Sequence, residues 1–170
     1  LLLSVGLLPE NELSELAGVE IDPSTRGPRV RENFETGVPG VFACGNVLHV
    51  HDLVDYVSEE AEAAGRAAAD YLKTGAVQRE ADCVAVVSGA EIVGAVPQRV
   101  DIRHMPEEIT VRFRVRREMR DYQLCVSCGA RELLRRKKRI MTPGQMEEIT
   151  LRRDQLGDGE IRIWAEANEK

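Results

Sequence analysis

The chain is poor in aromatic residues, with one Trp, three Tyr and three Phe, 4% of its 170 positions. That scarcity weighs against single-stranded nucleic-acid binding, in which aromatic rings serve as stacking platforms beside basic grooves. Cysteine is scarce too. Cys44, Cys83, Cys125 and Cys128 are too few for a disulfide scaffold of this length, so a reducing, cytoplasmic setting is expected. Long apolar runs are missing: none approaches the roughly 20 residues that a membrane-spanning helix needs. The opening Leu1-Leu2-Leu3-Ser4-Val5-Gly6-Leu7-Leu8 has neither the basic flank nor the small-residue cleavage site of a signal peptide. It has no initiator Met either, and reads as a buried strand within a longer parent.

Against those absences, 43% of the residues are apolar and 31% charged, the balance of a soluble globular protein rather than a disordered tail. The net charge of −6 argues against general nucleic-acid affinity, and it conceals an asymmetry. Residues 1–75 carry 5 basic and 13 acidic side chains, and residues 76–170 carry 18 and 16. Such a shift marks a boundary, and two units are expected, 1–78 and 79–170.

Asn11 to Leu16 suggests a helical turn closed by Gly18, and Pro23 to Pro28 is a dense turn signal. Val41-Phe42-Ala43-Cys44 is an apolar run of strand length that ends at Gly45. From Asp52 to Lys73 the period is helical: Leu53, Val57, Ala61, Ala64, Ala68 and Leu72 recur at spacings of three and four. Asp52 or Asp55 is the expected cap, and Gly75 the stop. Beyond Gly75 the period becomes two. Runs at 83–87, 109–116, 122–126, 132–136, 146–151 and 161–165 predict short strands between turn signals, the pattern of a small all-β sandwich or barrel. The fold class is therefore α+β: an α/β segment with one long helix, then a small β domain.

The informative stretch is Thr36-Gly37-Val38-Pro39-Gly40-Val41-Phe42-Ala43-Cys44-Gly45-Asn46, just before the long helix. A ligand at such a strand end can approach Gly45 without meeting a Cβ, and would face the unpaired N–H groups of a helix start. The wording resembles the second flavin-contacting motif of the pyridine nucleotide-disulfide oxidoreductase superfamily, T-x-x-P-G-[LIV]-[FY]-A-x-G-D. Leu2 to Asn11 resembles that family's strand returning to the flavin domain. Val57-Ser58-x-x-Ala61-x-x-x-Gly65 resembles its flavin-side helix. The likeness covers about residues 1–75 and implies a partial Rossmann-like FAD-binding segment. It implies that Gly45, Asn46 and Val47 adjoin FAD, with Asn46 in place of the usual acid at the ribityl chain, and that the N–H groups of Tyr56, Val57 and Ser58 face the flavin. The family's G-x-G-x-x-G, its nicotinamide domain and its redox Cys pair are absent from this sequence.

The remaining constellations carry less. Cys125-Val126-Ser127-Cys128 is a lone C-x-x-C with no second pair, and His49, His51 and His104 all lie upstream of it, so no metal is expected there. His49-Val50-His51-Asp52 invites a metal or acid/base role, and His51 and Asp52 are the catalytic candidates. Arg112, Arg114 and Arg116 line one strand face; this stripe and the run Arg135 to Arg139 are expected to be solvated or to contact the acidic first half. The expected function is the carboxyl-terminal part of an FAD-dependent, NAD(P)-linked oxidoreductase, inert by itself, whose partner is the remainder of the parent. The alternative is a non-catalytic β module that forms a homo-oligomer or docks a partner subunit. Neither nucleic acid nor membrane is an expected partner.

Overall fold

Where apolar residues alternate along the chain they build sheets, and where they recur at three and four they build one long helix. The computed structural model describes residues 2, 6–75 and 83–168. Its elements are α1 (Glu12–Leu16), α2 (Val54–Thr74), β1 (Val84–Ser88), β2 (Ile92–Val96), β3 (Arg99–Val100), β4 (Glu108–Val115), β5 (Met119–Cys128), β6 (Arg131–Met141), β7 (Glu147–Arg152) and β8 (Ile161–Ala167). A 3-10 turn spans Gly45–Val47 and another Arg153–Gln155.

The strands form two sheets, ordered β3-β1-β8-β5-β6 and β2-β4-β7. β1 and β8 pair in parallel, and the other ladders are antiparallel. β4 shows why a sheet forms here. Its even positions carry Thr110, Arg112 and Arg114, while Ile109, Val111, Phe113 and Val115 are all buried, the alternation that a half-buried strand demands. Those four join Leu124, Val126, Ile161 and Ile163 of the opposing sheet in one core of seventeen buried residues. At about 1.5–3 kcal/mol for each large apolar side chain buried, most of the stabilisation lies in this core.

α2 starts two residues later than its period suggests and ends one later, and Gly75 stops it as expected, in a left-handed conformation with its N–H on the Tyr71 carbonyl. Neither expected cap is used. Leu53 occupies the cap position and makes no side-chain cap hydrogen bond, because the Asp52 carboxylate is taken by Arg114 and by the Met146 N–H. Of the apolar stripe only Ala64 is buried; Leu53 and Leu72 are 53% and 83% exposed.

Residues 6–75 form no strand ladder among the described residues; isolated bridges tie Ile21 to Pro28, Val30 to Thr36, Glu35 to Phe42 and Arg31 to Arg99. The expected strand at Val41–Cys44 thus reduces to the single Phe42 bridge, because an apolar run makes a strand only when an extended partner lies alongside. Of the expected opening strand, residues 1 and 3–5 lie outside the described residues, while Leu2, Leu7 and Leu8 are exposed and outside any strand. The expected boundary at 78 and 79 also lies outside them. The fold is mixed α and β, with one long helix and two sheets.

Polar side chains hold the first region to the second. The Gln98 side-chain oxygen accepts from the Val30 N–H at 2.9 Å, and Glu32 accepts from the Asp101 N–H at 2.8 Å. Val96, from β2, completes a small cluster with Val30, Ala43 and Leu48.

Candidate functional site

The Thr36–Asn46 stretch leads into a tight, pinned loop. Gly45 turns through φ +70°, a left-handed conformation that favours glycine, and its N–H donates to Glu60 Oε2 at 3.1 Å. Leu48 is fully buried, and its carbonyl crosses so close to Gly27 that a Cβ there would lie 1.8 Å from the oxygen. Asn46 is exposed; its side-chain oxygen accepts from the His51 N–H at 3.1 Å. The loop from His49 to Leu53 then crosses to the start of α2.

Glu60 is the centre of what this loop encloses. It lies one turn beyond Val57 and one turn before Ala64, on the inward face of α2, and is 2% exposed. Its Oε1 lies 2.8 Å from His49 Nε2 and its Oε2 lies 2.9 Å from His51 Nε2. Arg112 Nη1 reaches Oε1 at 3.5 Å. Burial pushes the Glu60 carboxyl up, but the hydrogen bonds and charges of the two histidines outweigh it and hold the group down to about 2. An ionised carboxylate only accepts, so each imidazole presents its Nε2–H to it. Burial also lowers the His49 imidazole, against the opposing pull of Glu60, which keeps it neutral near pH 7. The two rings stand edge to face with centroids 4.3 Å apart. His51 Nδ1 is buried and has no partner.

Arg112 joins the sheet to this cluster. Its guanidinium lies 4.5 Å from the centre of the Tyr56 ring and pairs with Glu59 and, at 3.6 Å, with Glu148. Arg114 reaches Asp52 and, at 2.9 Å, the Val50 carbonyl. The inner part of the arginine stripe thus contacts the acidic first half, whereas Arg116 bonds the Ala90 carbonyl. Asp52 sits under opposed influences, burial raising it and Arg114 with the Met146 N–H lowering it, and the net effect is a lowered carboxyl.

The sequence-derived residues therefore part company. His51 enters the buried cluster, while Asp52 straps the loop to β4 and to Met146. Gly45 and Asn46 flank the cluster from the 3-10 turn, and Val47 is half-buried beside them. Because α2 begins at Val54, its amides without intrahelical partners fall at Val54, Asp55 and Tyr56. Of the three expected, only Tyr56 belongs to that set. The Val57 side chain packs on Gly45, and the Ser58 hydroxyl donates to the Val54 carbonyl. Glu60 was not singled out from sequence, although a lone carboxylate on the apolar face of a helix was the available signal for it; Arg112 was read there only as a member of the arginine stripe. Cys125 and Cys128 are buried, and burial raises the Cys125 thiol, which makes it a poor nucleophile.

The residues present are compatible with a flavin edge. The start of α2 is uncapped, Leu53 and Val54 are exposed, and Asn46 keeps its amide NH2 available. The Gly45 N–H is not available, being committed to Glu60. No protein-family model, curated protein or solved structure matches this chain.

Proposed function

We propose that this chain is the carboxyl-terminal portion of an FAD-dependent, NAD(P)-linked oxidoreductase and supplies one wall of its flavin site. The observation that carries the reading is the Thr36–Asn46 motif, which turns through a left-handed Gly45 and runs, by a pinned loop, to the uncapped start of a 21-residue helix. FAD, when bound, accepts hydride from a nicotinamide; the protein's share is to position it and tune its charge. Asn46 offers its amide to the cofactor's polar chain. The free N–H groups at the start of α2 favour negative charge on whatever ring edge faces them. His51 and the Glu60 cluster hold the loop that carries both.

A second support is the surface left uncovered. Leu7, Leu8, Leu13, Leu16, Val54 and Leu72 are between 65% and 84% exposed, apolar side chains that further chain could cover. A Rossmann-like FAD-binding fold requires a parallel sheet, and the rest of the parent would provide it and cover these side chains.

Two readouts test the reading. The reading frame upstream of Leu1 should encode G-x-G-x-x-G in a strand–turn–helix setting, and purified parent carrying Asn46→Leu should hold less flavin by absorbance. An upstream frame without that fingerprint, or normal flavin content in the variant, overturns the proposal. The isolated chain should show no NAD(P)H oxidation with added FAD.

A further inference from the structure

We infer that His49, His51 and Glu60 form a binding site for one divalent first-row transition ion of the zinc class. The inference stands apart from the flavin reading and uses none of its premises.

Three potential ligand atoms, one from each residue, lie within 4.8 Å of one another. An ion with bonds of about 2.0–2.2 Å sets tetrahedral ligands about 3.4 Å apart, so shifts of an ångström or so seat it. Two imidazoles and one carboxylate are borderline donors, suited to zinc, iron, cobalt or nickel rather than to calcium or magnesium, which take oxygen. Three protein ligands leave a position open for water, the arrangement of reactive rather than purely structural sites.

The surroundings favour a cation. The His49, His51 and Glu60 side chains are 7%, 1% and 2% exposed. Around them Asp52, Glu59, Glu60 and Glu148 face Arg112 and Arg114. Four carboxylates face two guanidiniums, a net negative surround in which the buried Glu60 counts for most and the exposed Glu59 and Glu148, screened by water, for less. The Arg112 cation is shared among three of those carboxylates, so it does not stand unopposed beside the ion. Outer partners for the ligating carboxylate are in place, the Gly45 N–H on Oε2 and Arg112 on Oε1, as ligating carboxylates require.

His51 is the telling member. Its Nδ1 is buried without a partner, so no hydrogen bond at that atom fixes the tautomer. An ion takes the Nε2 lone pair once the proton that faces Glu60 moves to Nδ1, which has no existing bond to give up. The missing outer partner sets the affinity about 10–100-fold below that of a fully supported site.

The test is a titration of the purified, chelator-stripped 170-residue chain with Co²⁺ followed by Zn²⁺ in competition, with no flavin present. One equivalent of Co²⁺ should bind with visible d–d bands, and Zn²⁺ should bleach them. His51→Ala, shown by circular dichroism to be folded, should weaken binding at least about 100-fold, whereas His104→Ala, whose side chain is 66% exposed and bonded to Asp101, should leave it unchanged. Folded native chain that takes up no metal overturns the inference without need of any variant. So does equal affinity in His51→Ala. A hydrogen-bonded triad only, with both imidazoles still carrying Nε2–H by ¹⁵N NMR in excess Zn²⁺, overturns it as well. Because metal uptake is read without flavin, its failure leaves the flavin proposal untouched.

Discussion

Residues 83–168 and residues 6–75 are held together by different forces. The later region has seventeen buried side chains in one apolar core between two sheets. The earlier region has a cluster of four, one of which, Val96, belongs to the later region. What it has instead are buried polar groups with designated partners: Asn11 bonding the Arg26 and Val47 carbonyls, Glu32 on the Asp101 N–H, and Glu60 amid two histidines and an arginine. Apolar burial is non-directional and tolerates exchange. A buried polar network is satisfied only in one arrangement, and losing one member strands the others. The chemically interesting residues therefore sit where the fold is specified by hydrogen bonds and braced by its neighbour.

The comparison breaks most severely at Phe113, which is fully buried in the shared core. Phe113→Ala should cost about 3–5 kcal/mol by cavity formation. Both regions should then be lost in a single denaturant transition, since β4 carries Phe113 inward and Arg112 toward α2. Separate transitions would mean that the earlier region needs less support than its contacts suggest. Glu60→Ala should cost about 3 kcal/mol, because it leaves the His49 and His51 Nε2–H groups and the Gly45 N–H buried without an acceptor. Its loss should fall on the helix: circular dichroism should show α2 melting ahead of the sheets, a division Phe113→Ala should not produce.

That division tracks what could be read from residues alone. α2 was legible because its period held for five turns and Gly75 ended it, and β4 because four apolar residues alternated with four polar ones. β2 was not among the predicted runs, since Gly94 interrupts its apolar stretch and Pro97 follows it, and neither residue favours a strand interior. Val41–Cys44 looked like a strand because apolar content signals burial, yet pairing depends on a partner that no local pattern specifies. The site divides in the same way. His49, His51 and Asp52 are adjacent and invite attention, whereas Glu60 meets Arg112 across 52 positions, a pairing made by the way α2 lies against β4. Asp52 was picked out because its neighbours are histidines, and its carboxylate bonds Arg114 and the Met146 N–H, contacts that no local pattern specifies.

Acid should sharpen the contrast. Glu60 titrates near 2 in the fold against an ordinary 4.5, so its contribution is complete above about pH 4.5. As pH falls toward 2 the unfolded chain takes up a proton that the folded chain refuses, and on the order of 3 kcal/mol is lost. His49, lowered from 6.5 by burial, acts in the same direction: the unfolded chain binds its proton first, so stability starts to fall below about pH 6.5. A thermal melt series from pH 7 to pH 3 should show the helix signal declining before the sheet signal, and Glu60→Gln should flatten the decline between pH 4.5 and pH 3. A wild-type profile that is flat over the whole range would remove the assignment of Glu60 as the ionised centre.

The smallest effect is expected where the helix has nothing to pack on. Leu72 belongs to the apolar stripe of α2 yet is 83% exposed, so Leu72→Ser removes almost no buried surface in this chain. The change should lie within about 0.5 kcal/mol of the native stability, set mainly by the modest difference in helix propensity between the two residues. In the proposed parent the same substitution should cost about 1.5–3 kcal/mol, because there the reading has Leu72 covered by further chain, and a covered Leu loses its whole transfer free energy. Urea denaturation of the variant in both settings measures the difference directly. Equal and negligible costs would mean that the stripe faces water in the parent as well, and the uncovered leucines would no longer support a missing neighbour. A large cost in the isolated chain would mean that the helix finds a partner without one, through a second copy, and the melting temperature would then rise with protein concentration.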